Sequence, residues 1–422
     1  MVKSAALWIV AAGFAAGLVG TVCGDEVSEL RKEVEQQYNA LLKVQSQLLE
    51  IEAAQKKQAD SVKKLESNDT MTLPETLKWI EKVNLYGDFR YRYEHRDREW
   101  KGDDDKSDRH RIRARVGLKG KVNDEIDFNL LLATGSDDPV STNETLGDGF
   151  ASDDIWLDRA FLTYTPAGLE GLSILAGKMG TPFYAAGKNQ LIWDGDLSPE
   201  GIAIQYTTAL NDATGLFVNG GALWVAENDA DADTSLYGVQ AGLTHSFEDK
   251  SKLTWGAGYF HYGNINGEPF VYDDEAFGNT ESATTAGTYA YDYKLVEVFG
   301  EYGTKLGELP ISVYGNYVVN TASSVKEDTG WLVGTKLGKA SAPGSWDFGY
   351  EYRDLEADAV LGAYTDSDFA DGGTDGKGHK FSVGYALAKS TTLNLTYFMN
   401  QALDKSPDDD YRRLQLDVNI KF

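Results

Sequence analysis

The segment YRRLQLDVNIKF, residues 411–422, alternates polar and apolar side chains with a period of two. Because successive side chains of a β-strand point to opposite faces, this alternation predicts a strand with one apolar face and one polar face. The apolar positions are Leu414, Leu416, Val418, Ile420 and Phe422. A soluble sheet on a protein core and a barrel in a membrane both fit this pattern, so the rest of the chain has to decide between them.

The same alternation recurs from Val83 onward and predicts an all-β domain over residues 83–422. Sixteen segments carry it, at 83–94, 109–121, 126–135, 155–165, 171–178, 200–208, 214–226, 234–247, 252–262, 291–303, 309–320, 329–339, 345–354, 378–388, 391–400 and 411–422. The number is even, as in bacterial outer-membrane barrels. Most segments also reach the roughly 9–11 residues that a tilted strand needs to cross a bilayer.

Short and long connections alternate between these segments. The short ones include VNDE at 122–125 and EDKS at 248–251, and the long ones are 96–108, 136–154, 179–199, 263–290, 355–377 and 401–410. Outer-membrane barrels have short turns at one end and long loops at the other, whereas a soluble sandwich has no reason to sort its loops in this way. The predicted fold is therefore a 16-stranded antiparallel transmembrane β-barrel. We expect its last strand to pair with the first, with the apolar positions up to Phe422 acting as the closure signal.

Residues 1–82 follow a different pattern and predict three further parts. Residues 1–24 contain an apolar run that ends in Val22-Cys23-Gly24, which predicts a signal peptide. A retained membrane anchor and a lipoprotein attached through Cys23 are the alternatives. Residues 25–66 carry heptads that predict an N-terminal α-helical coiled coil, and therefore an oligomer, and residues 67–82 form a linker. The apolar seam positions are Val27, Leu30, Val34, Leu41, Val44, Leu48, Ile51, Val62 and Leu65.

The composition excludes several classes of function. The net charge of -26 argues against a nucleic-acid partner, which requires a basic surface. Much of the acid lies in long loops such as GDDDKSD (102–108) and YTDSDFADGGTD (364–375), and we expect these carboxylates to be solvated. The five histidines are scattered and form no zinc-protease motif, and no nucleophile elbow is present. We therefore expect no enzymatic activity, no cofactor and no metal.

Five segments carry a resemblance to a known family. They are VNLYGDFRYRYE (83–94), LLATGSDDPVSTNETLG (131–147), QLIWDGDLSPEGIAIQY (190–206), YEYRDLEADAVLGAYTDSDF (350–369) and DVNIKF (417–422). In these segments the chain resembles the bacterial "putative porin" family, which joins an N-terminal coiled coil to a sixteen-stranded barrel. The resemblance covers residues 82–422, with the coiled coil as a looser match. It implies an outer-membrane channel that assembles as a homotrimer.

The resemblance also implies where the channel is narrowest. Porins of this size fold their third long loop into the lumen, which here is the segment 179–199. This loop and the residue after it supply Lys188, Asp194, Asp196 and Glu200. The predicted polar faces of the first two strands carry the opposing arginines, namely Arg90, Arg92, Arg109, Arg111, Arg113 and Arg115. Carboxylates that face guanidinium groups across a constriction select against apolar solutes. The alternative is that these arginines pair with wall carboxylates such as Asp88 and Glu94 as part of a polar wall.

Three functional hypotheses follow. The first is a porin for passive diffusion of small hydrophilic solutes and ions. The second is a structural protein that tethers the outer membrane to the cell wall through its coiled coil. The third is an anion-selective or phosphate-selective porin, which depends on the arginines alone. In each case we expect the outer membrane of a Gram-negative-type bacterium, contact with lipid and lipopolysaccharide, and a coiled coil in the periplasm.

Overall fold

The computed structural model of the protein describes residues 82–100, 103–228, 232–402 and 410–422, together with seven single helical residues between 32 and 50. The chain divides into two compact units, Met1–Lys78 and Trp79–Phe422. The predicted signal peptide, the coiled-coil seam and residues 67–81 of the linker lie outside the described residues, so these assignments stay predictions. Within the part of the chain that is described, no helix is long and apolar enough to cross a membrane.

The second unit is built from β-strands, as the alternation predicts. They are β1 (Val83–Trp100), β2 (Asp103–Lys121), β3 (Ile126–Thr134), β4 (Glu144–Thr145), β5 (Ile155–Tyr164), β6 (Leu172–Lys178), β7 (Glu200–Ala209), β8 (Thr214–Ala226), β9 (Thr234–Ser246), β10 (Lys252–Gly263), β11 (Lys294–Leu306), β12 (Leu309–Asn320), β13 (Thr329–Gly338), β14 (Trp346–Leu355), β15 (Gly376–Ala388), β16 (Thr391–Ala402) and β17 (Asp410–Lys421). The two-residue strand β4 belongs to a loop, and the other sixteen form the wall.

The wall closes into an antiparallel barrel. Each long strand pairs with the next one along the chain, and β17 pairs with β1, so no edge is left open. The predicted pairing of the last strand with the first is confirmed. Val418 lies opposite Tyr91 in this seam. Beyond the last paired position, the Gly87 N–H donates to the Phe422 carbonyl over 3.0 Å, and the Phe422 N–H donates to the Gly87 carbonyl over 3.1 Å.

The first two strands are longer than the sequence pattern predicts. The expected loop 96–108 is mostly strand, because β1 continues to Trp100 and β2 begins at Asp103. Opposite charges face each other across this extension: Arg98 lies 3.0 Å from Asp105. Cross-strand pairs of opposite charge stabilise a hairpin without apolar alternation. The pattern of apolar residues therefore ends before the hairpin does.

Parity along the strands separates the two faces of the wall. Outward positions carry exposed apolar side chains such as Phe89, Ile204 and Leu395, whereas inward positions carry buried polar ones such as Glu94 and Gln415. Exposed aromatic side chains also lie near both ends of the wall, including Trp156, Trp224 and Trp331 at the loop ends and Tyr164, Tyr302 and Trp346 nearer the turn ends. A continuous apolar surface with aromatic residues at both rims is typical of a barrel that lies in lipid.

Loops fill one side of the lumen. Residues 179–199, 264–293 and 356–375 contribute buried apolar side chains that pack against the inner faces of β8 to β14. Phe183 from the first of these loops meets Phe260 of β10 with ring centroids 4.8 Å apart, and Trp193 meets the same ring at 5.2 Å. The charged inner faces of β1, β2 and β17 lie outside this apolar cluster. The remaining polar space therefore lies next to the arginines.

Candidate pore constriction

The loop 179–199 lies inside the barrel and is held at its tip by the opposite wall. The Tyr184 hydroxyl donates to the Glu301 carboxylate of β11 over 2.7 Å, and the backbone N–H of Gly187 donates to the same carboxylate over 2.8 Å. Lys336 of β13 donates to the Gly187 carbonyl. Because three hydrogen bonds from two strands converge on residues 184–187, the tip is fixed against the wall.

A glycine is required at this tip. Gly187 has φ of +61°, in the left-handed region that glycine adopts without a steric penalty. A Cβ atom at this position would lie 2.4 Å from ring atoms of Tyr314 on β12. The close approach of the Gly187 backbone to the Tyr314 ring sets how near to the wall the loop can lie.

The second half of the loop is clasped by the loop 356–375. The Asp194 N–H donates to the Tyr364 carbonyl over 2.8 Å, and the Asp194 carboxylate accepts the Ser367 N–H over 3.0 Å. The Thr365 hydroxyl donates to the Leu191 carbonyl over 2.9 Å. Asp194 is buried in this clasp. The structure therefore places its carboxylate in a loop–loop contact at the margin of the lumen, with 6% of the residue exposed.

Asp196 connects the loop to the arginine wall. Its Oδ1 atom lies 3.3 Å from a guanidinium nitrogen of Arg113 and 3.3 Å from one of Arg115. The same two arginines pair with Asp88 of β1 over 2.9 and 2.8 Å. The sequence allowed these arginines either to face a loop carboxylate or to pair with a wall carboxylate. They bind a wall carboxylate and a loop carboxylate at the same time.

The rest of the wall is a dense network of ion pairs. Arg92 pairs with Asp417 over 2.7 Å. Arg109 and Arg413 both contact Glu94, and Arg413 also lies 2.6 Å from Asp368. These groups come from β1, β2 and β17 and from the loop 356–375. The predicted arginines therefore lie on one wall, and four of them contact carboxylates directly, namely Arg92, Arg109, Arg113 and Arg115.

Two predicted site residues lie elsewhere. Lys188 is exposed at the tip of the loop, next to the carbonyl that receives Lys336, on the side away from the arginines. Glu200 has the outward parity of Ile202 and Ile204, and its carboxylate pairs with Lys178 over 2.8 Å. The structure does not bring either residue to the arginine wall.

Sequence reasoning missed several charged residues of this region. Arg413 shares the polar face of the closing strand, so parity could have identified it. Asp366 and Asp368 come from the acidic loop 356–375, whose carboxylates we expected to be solvated. That expectation is wrong for Asp366, which is 1% exposed and pairs with Arg353 over 3.1 Å. Its partners lie on the strands β14 and β15, so no local pattern in the loop shows that it folds inward.

Two carboxylates of the loops differ in their pKa. Burial raises the pKa of Asp194 well above its ordinary value, and the nearby carboxylates of Asp366 and Asp196 add to this shift. Burial would also raise the pKa of Asp368, but the guanidinium groups of Arg413 and Arg92 outweigh it, and the pKa of Asp368 is lowered. Asp194 therefore takes up a proton at a higher pH than Asp368 does.

A polar cavity of about 290 Å³ lies between the loops and the wall. Its lining combines residues of the wall, of the loop 179–199 and of the loop 356–375, including Arg90, Arg113, Asn143, Gln190 and Ser367. No group of His, Cys, Asp and Glu side chains suited to a metal ion occurs among the residues described here. What the cavity offers a solute is hydrogen-bond donors, hydrogen-bond acceptors and charge.

Comparisons with known proteins agree with this architecture. The sequence family described as "Putative porin" matches residues 98–295 and 289–422. No curated protein matches the chain. The fold is similar to that of OprB from Pseudomonas putida, with a TM-score of 0.56 and 14% sequence identity, covering 82% of this chain and 96% of that one. Structures of OmpF from Salmonella typhi (TM-score 0.48, 14% identity, 81% of this chain and 97% of that one) and of a loop-deleted OmpT from Vibrio cholerae (0.47, 14%, 81% and 99%) also match.

Proposed function

Because the chain belongs to the family described as "Putative porin", we propose that it forms a water-filled channel through which small hydrophilic solutes and ions diffuse passively across an outer membrane. The observation that carries the proposal is the closed sixteen-stranded wall with an apolar outer face and a charged inner face. A barrel of this size is wide enough for an aqueous lumen when side chains alone line it. The charged groups inside would be costly to bury in an apolar core.

The proposal includes a constriction made by the loop 179–199 beside the arginines of β1 and β2. It is supported by the contacts of Asp196 with Arg113 and Arg115, and by the hydrogen bonds that hold the loop tip on β11. A solute at this level meets paired charges and amides within a few ångströms. Polar solutes exchange water for these groups at little cost, whereas apolar solutes gain nothing from them.

The proposal also assigns the surroundings of the barrel. The apolar outer face would contact lipid and lipopolysaccharide, and three copies would assemble as a homotrimer. The heptads in residues 25–66 favour a coiled coil in the periplasm, and through it contact with the cell wall. Deletion of residues 25–66 tests this part separately: loss of envelope attachment with unchanged diffusion would assign the tether to that segment alone.

Liposome swelling tests the diffusion function. Purified, folded protein is reconstituted into liposomes, which are diluted into isotonic solutions of uncharged sugars of increasing size. We expect rapid swelling with the smallest sugars and a steady fall in rate as the sugar approaches the size of the constriction. The variant Asp196→Ala removes the contact between the loop and the wall arginines, so it should admit larger sugars faster. No swelling above that of empty liposomes with any sugar would contradict the proposal.

A further inference from the structure

Charge compensation on the arginine wall is uneven. Arg92, Arg109, Arg113, Arg115 and Arg413 each pair with at least one carboxylate. Arg90 and Arg111, which lie on the same wall, have no carboxylate within ion-pair distance among the described residues. The protein thus holds two guanidinium charges without counter-charges in a region where every neighbouring arginine has one.

The two uncompensated arginines meet at one residue. Arg90 donates to the side-chain oxygen of Asn143, and Arg111 donates to the backbone carbonyl of Asn143 over 3.1 Å. The Nε atom of each of the two arginines is buried without a partner within the described part of the chain. A buried donor without a partner costs free energy, and more so when it is charged. The contacts with Asn143 therefore leave both groups short of hydrogen bonds and of negative charge.

The short strand β4 holds Asn143 next to Arg90 and Arg111. Strand β3 ends at Thr134, which leaves the upper part of β2 without a neighbour on that side. The chain then returns as the two-residue strand β4, which pairs with Arg111 and Ile112 of β2. Asn143 immediately precedes β4, and its side-chain amide donates to the Ser141 hydroxyl over 3.3 Å. Asn143 is thus fixed between the two arginines by main-chain pairing.

The surroundings can accept a solute. Arg90 and Asn143 line the polar cavity of about 290 Å³ described above, together with Gln190, Gln415 and Thr396. These amide and hydroxyl groups can donate further hydrogen bonds to an anion. The other charged groups of the same lining are Asp194, Asp196, Asp368, Arg92, Arg113 and Lys380, of which Asp196 pairs with Arg113 and Asp368 with Arg92. Guanidinium groups bind oxyanions with two parallel N–H donors, which favours a planar or tetrahedral oxyanion over a spherical halide.

From this arrangement we propose that Arg90 and Arg111, bridged by Asn143, form a binding site for a small divalent oxyanion of the sulfate or phosphate class on the lumen wall. The inference rests on the proposed function, because the site faces the lumen of the channel. It goes further by naming a solute class and the residues that recognise it. An oxyanion at this position supplies the negative charge that the two arginines lack.

Block of chloride current by sulfate tests the site. Channels in a planar bilayer carry current in potassium chloride, and sodium sulfate is added at constant ionic strength. The variant Asn143→Asp is isosteric and puts a carboxylate between the two arginines, so it competes with the oxyanion from inside the protein. We expect it to raise the sulfate concentration needed for half block by about tenfold or more. Arg111→Gln, which removes one of the charges, should act in the same direction.

A matched control separates the site from the overall charge of the lumen. Asn129→Asp adds the same charge to the inner face of β3, near the turn end of the barrel. The side-chain oxygen of Asn129 accepts a hydrogen bond from the Tyr86 hydroxyl over 2.8 Å, and an aspartate can accept the same bond. We expect sulfate block in this variant to stay close to that of the unaltered protein. The site would be overturned if sulfate blocked the unaltered protein and Asn143→Asp equally. It would also be overturned if Asn129→Asp lost as much sulfate block as Asn143→Asp.

A second readout does not depend on conduction. Binding to the folded barrel raises its melting temperature. The unaltered protein should therefore melt higher in sodium sulfate than in sodium chloride of equal ionic strength, by more than Asn143→Asp does. If neither the unaltered protein nor the variants conduct, the proposed channel function is wrong. The comparison of melting temperatures still shows whether the oxyanion site exists. An identical sulfate effect on both proteins would overturn it.

Discussion

Arg92 on the first strand and Asp417 on the last are direct partners in the closing seam of the barrel, and they share two hydrogen bonds of 2.7 and 2.9 Å. Both side chains face inward and are buried. The same ion pair therefore joins the two ends of the strand order and forms part of the charged wall. Closure of the barrel and the character of its lumen depend on the same residues.

Asp417→Ala should destabilise the barrel. It leaves the Arg92 guanidinium with only the longer contact to Asp368, at 3.4 Å. Breaking a buried ion pair by removing one partner typically costs about 3 kcal/mol. The urea midpoint of barrel unfolding in vesicles should fall accordingly. Asp410→Ala is the control on the same strand, because it breaks an exposed pair with Arg412, for which about 0–1 kcal/mol is expected. Equal shifts in both variants would contradict the account of the seam.

Leu395→Arg tests whether the outer face meets lipid. Leu395 lies outward in the middle of β16 and is exposed. An arginine on the lipid face of a barrel costs about 2–4 kcal/mol at the bilayer midplane. Asn394→Arg places the same group on the adjacent inward position, which faces the lumen and lies opposite Asp417. The free energy of unfolding in vesicles should fall for the first variant and change little for the second. A reversed order would mean that the two faces are assigned wrongly.

Gly187→Ala should narrow the channel. The added Cβ meets the Tyr314 ring, and the positive φ at this position costs about 1 kcal/mol for a residue with a side chain. The loop tip must therefore move off β12 toward the arginine wall, into the remaining polar space, so single-channel conductance should fall and current noise should rise. Gly195→Ala is the control in the same loop, because its Cβ meets only the flexible end of Gln190. Unchanged conductance in Gly187→Ala would show that the tip contact does not limit the channel.

Ion selectivity should depend on pH through Asp194. Its pKa is raised, so this carboxyl takes up a proton at a pH above the ordinary range of aspartate, and the constriction then loses one negative charge. As the pH falls through that region, the ratio of chloride to potassium permeability should increase. Asp194→Asn should remove this step. Asp368 has a lowered pKa and stays ionised there, so Asp368→Asn should shift selectivity without removing the step. Persistence of the step in Asp194→Asn would refute the assignment.

The strands of the barrel wall could be predicted from the sequence because their two faces meet different surroundings. Each wall residue faces either lipid or lumen, so parity alone fixes the character of Leu416 and of its neighbour Asp417. The first strand could not be bounded in this way, because the pair of Arg98 and Asp105 extends it by charge alone. The sequence pattern therefore describes a strand well only where one of its faces is apolar.

The interior of the barrel could not be predicted in the same detail. From the sequence alone, Asp366 is expected to be a solvated loop carboxylate. In the structure it pairs with Arg353 and Lys380 of neighbouring strands. Asn143 acquires its contacts only because β4 pairs with β2. Both placements depend on how a long loop folds back onto strands that are distant in the sequence. No periodic pattern within the loop indicates which strand it will contact.

Single-channel recording decides whether the barrel is an open channel. Purified protein with the heat-modifiable mobility of a folded barrel is added to a planar bilayer in potassium chloride, and the reversal potential is then measured under a salt gradient. We expect large, stable current steps, grouped in threes if the proposed homotrimer inserts as a unit. The absence of any conductance from folded, inserted protein would contradict this expectation.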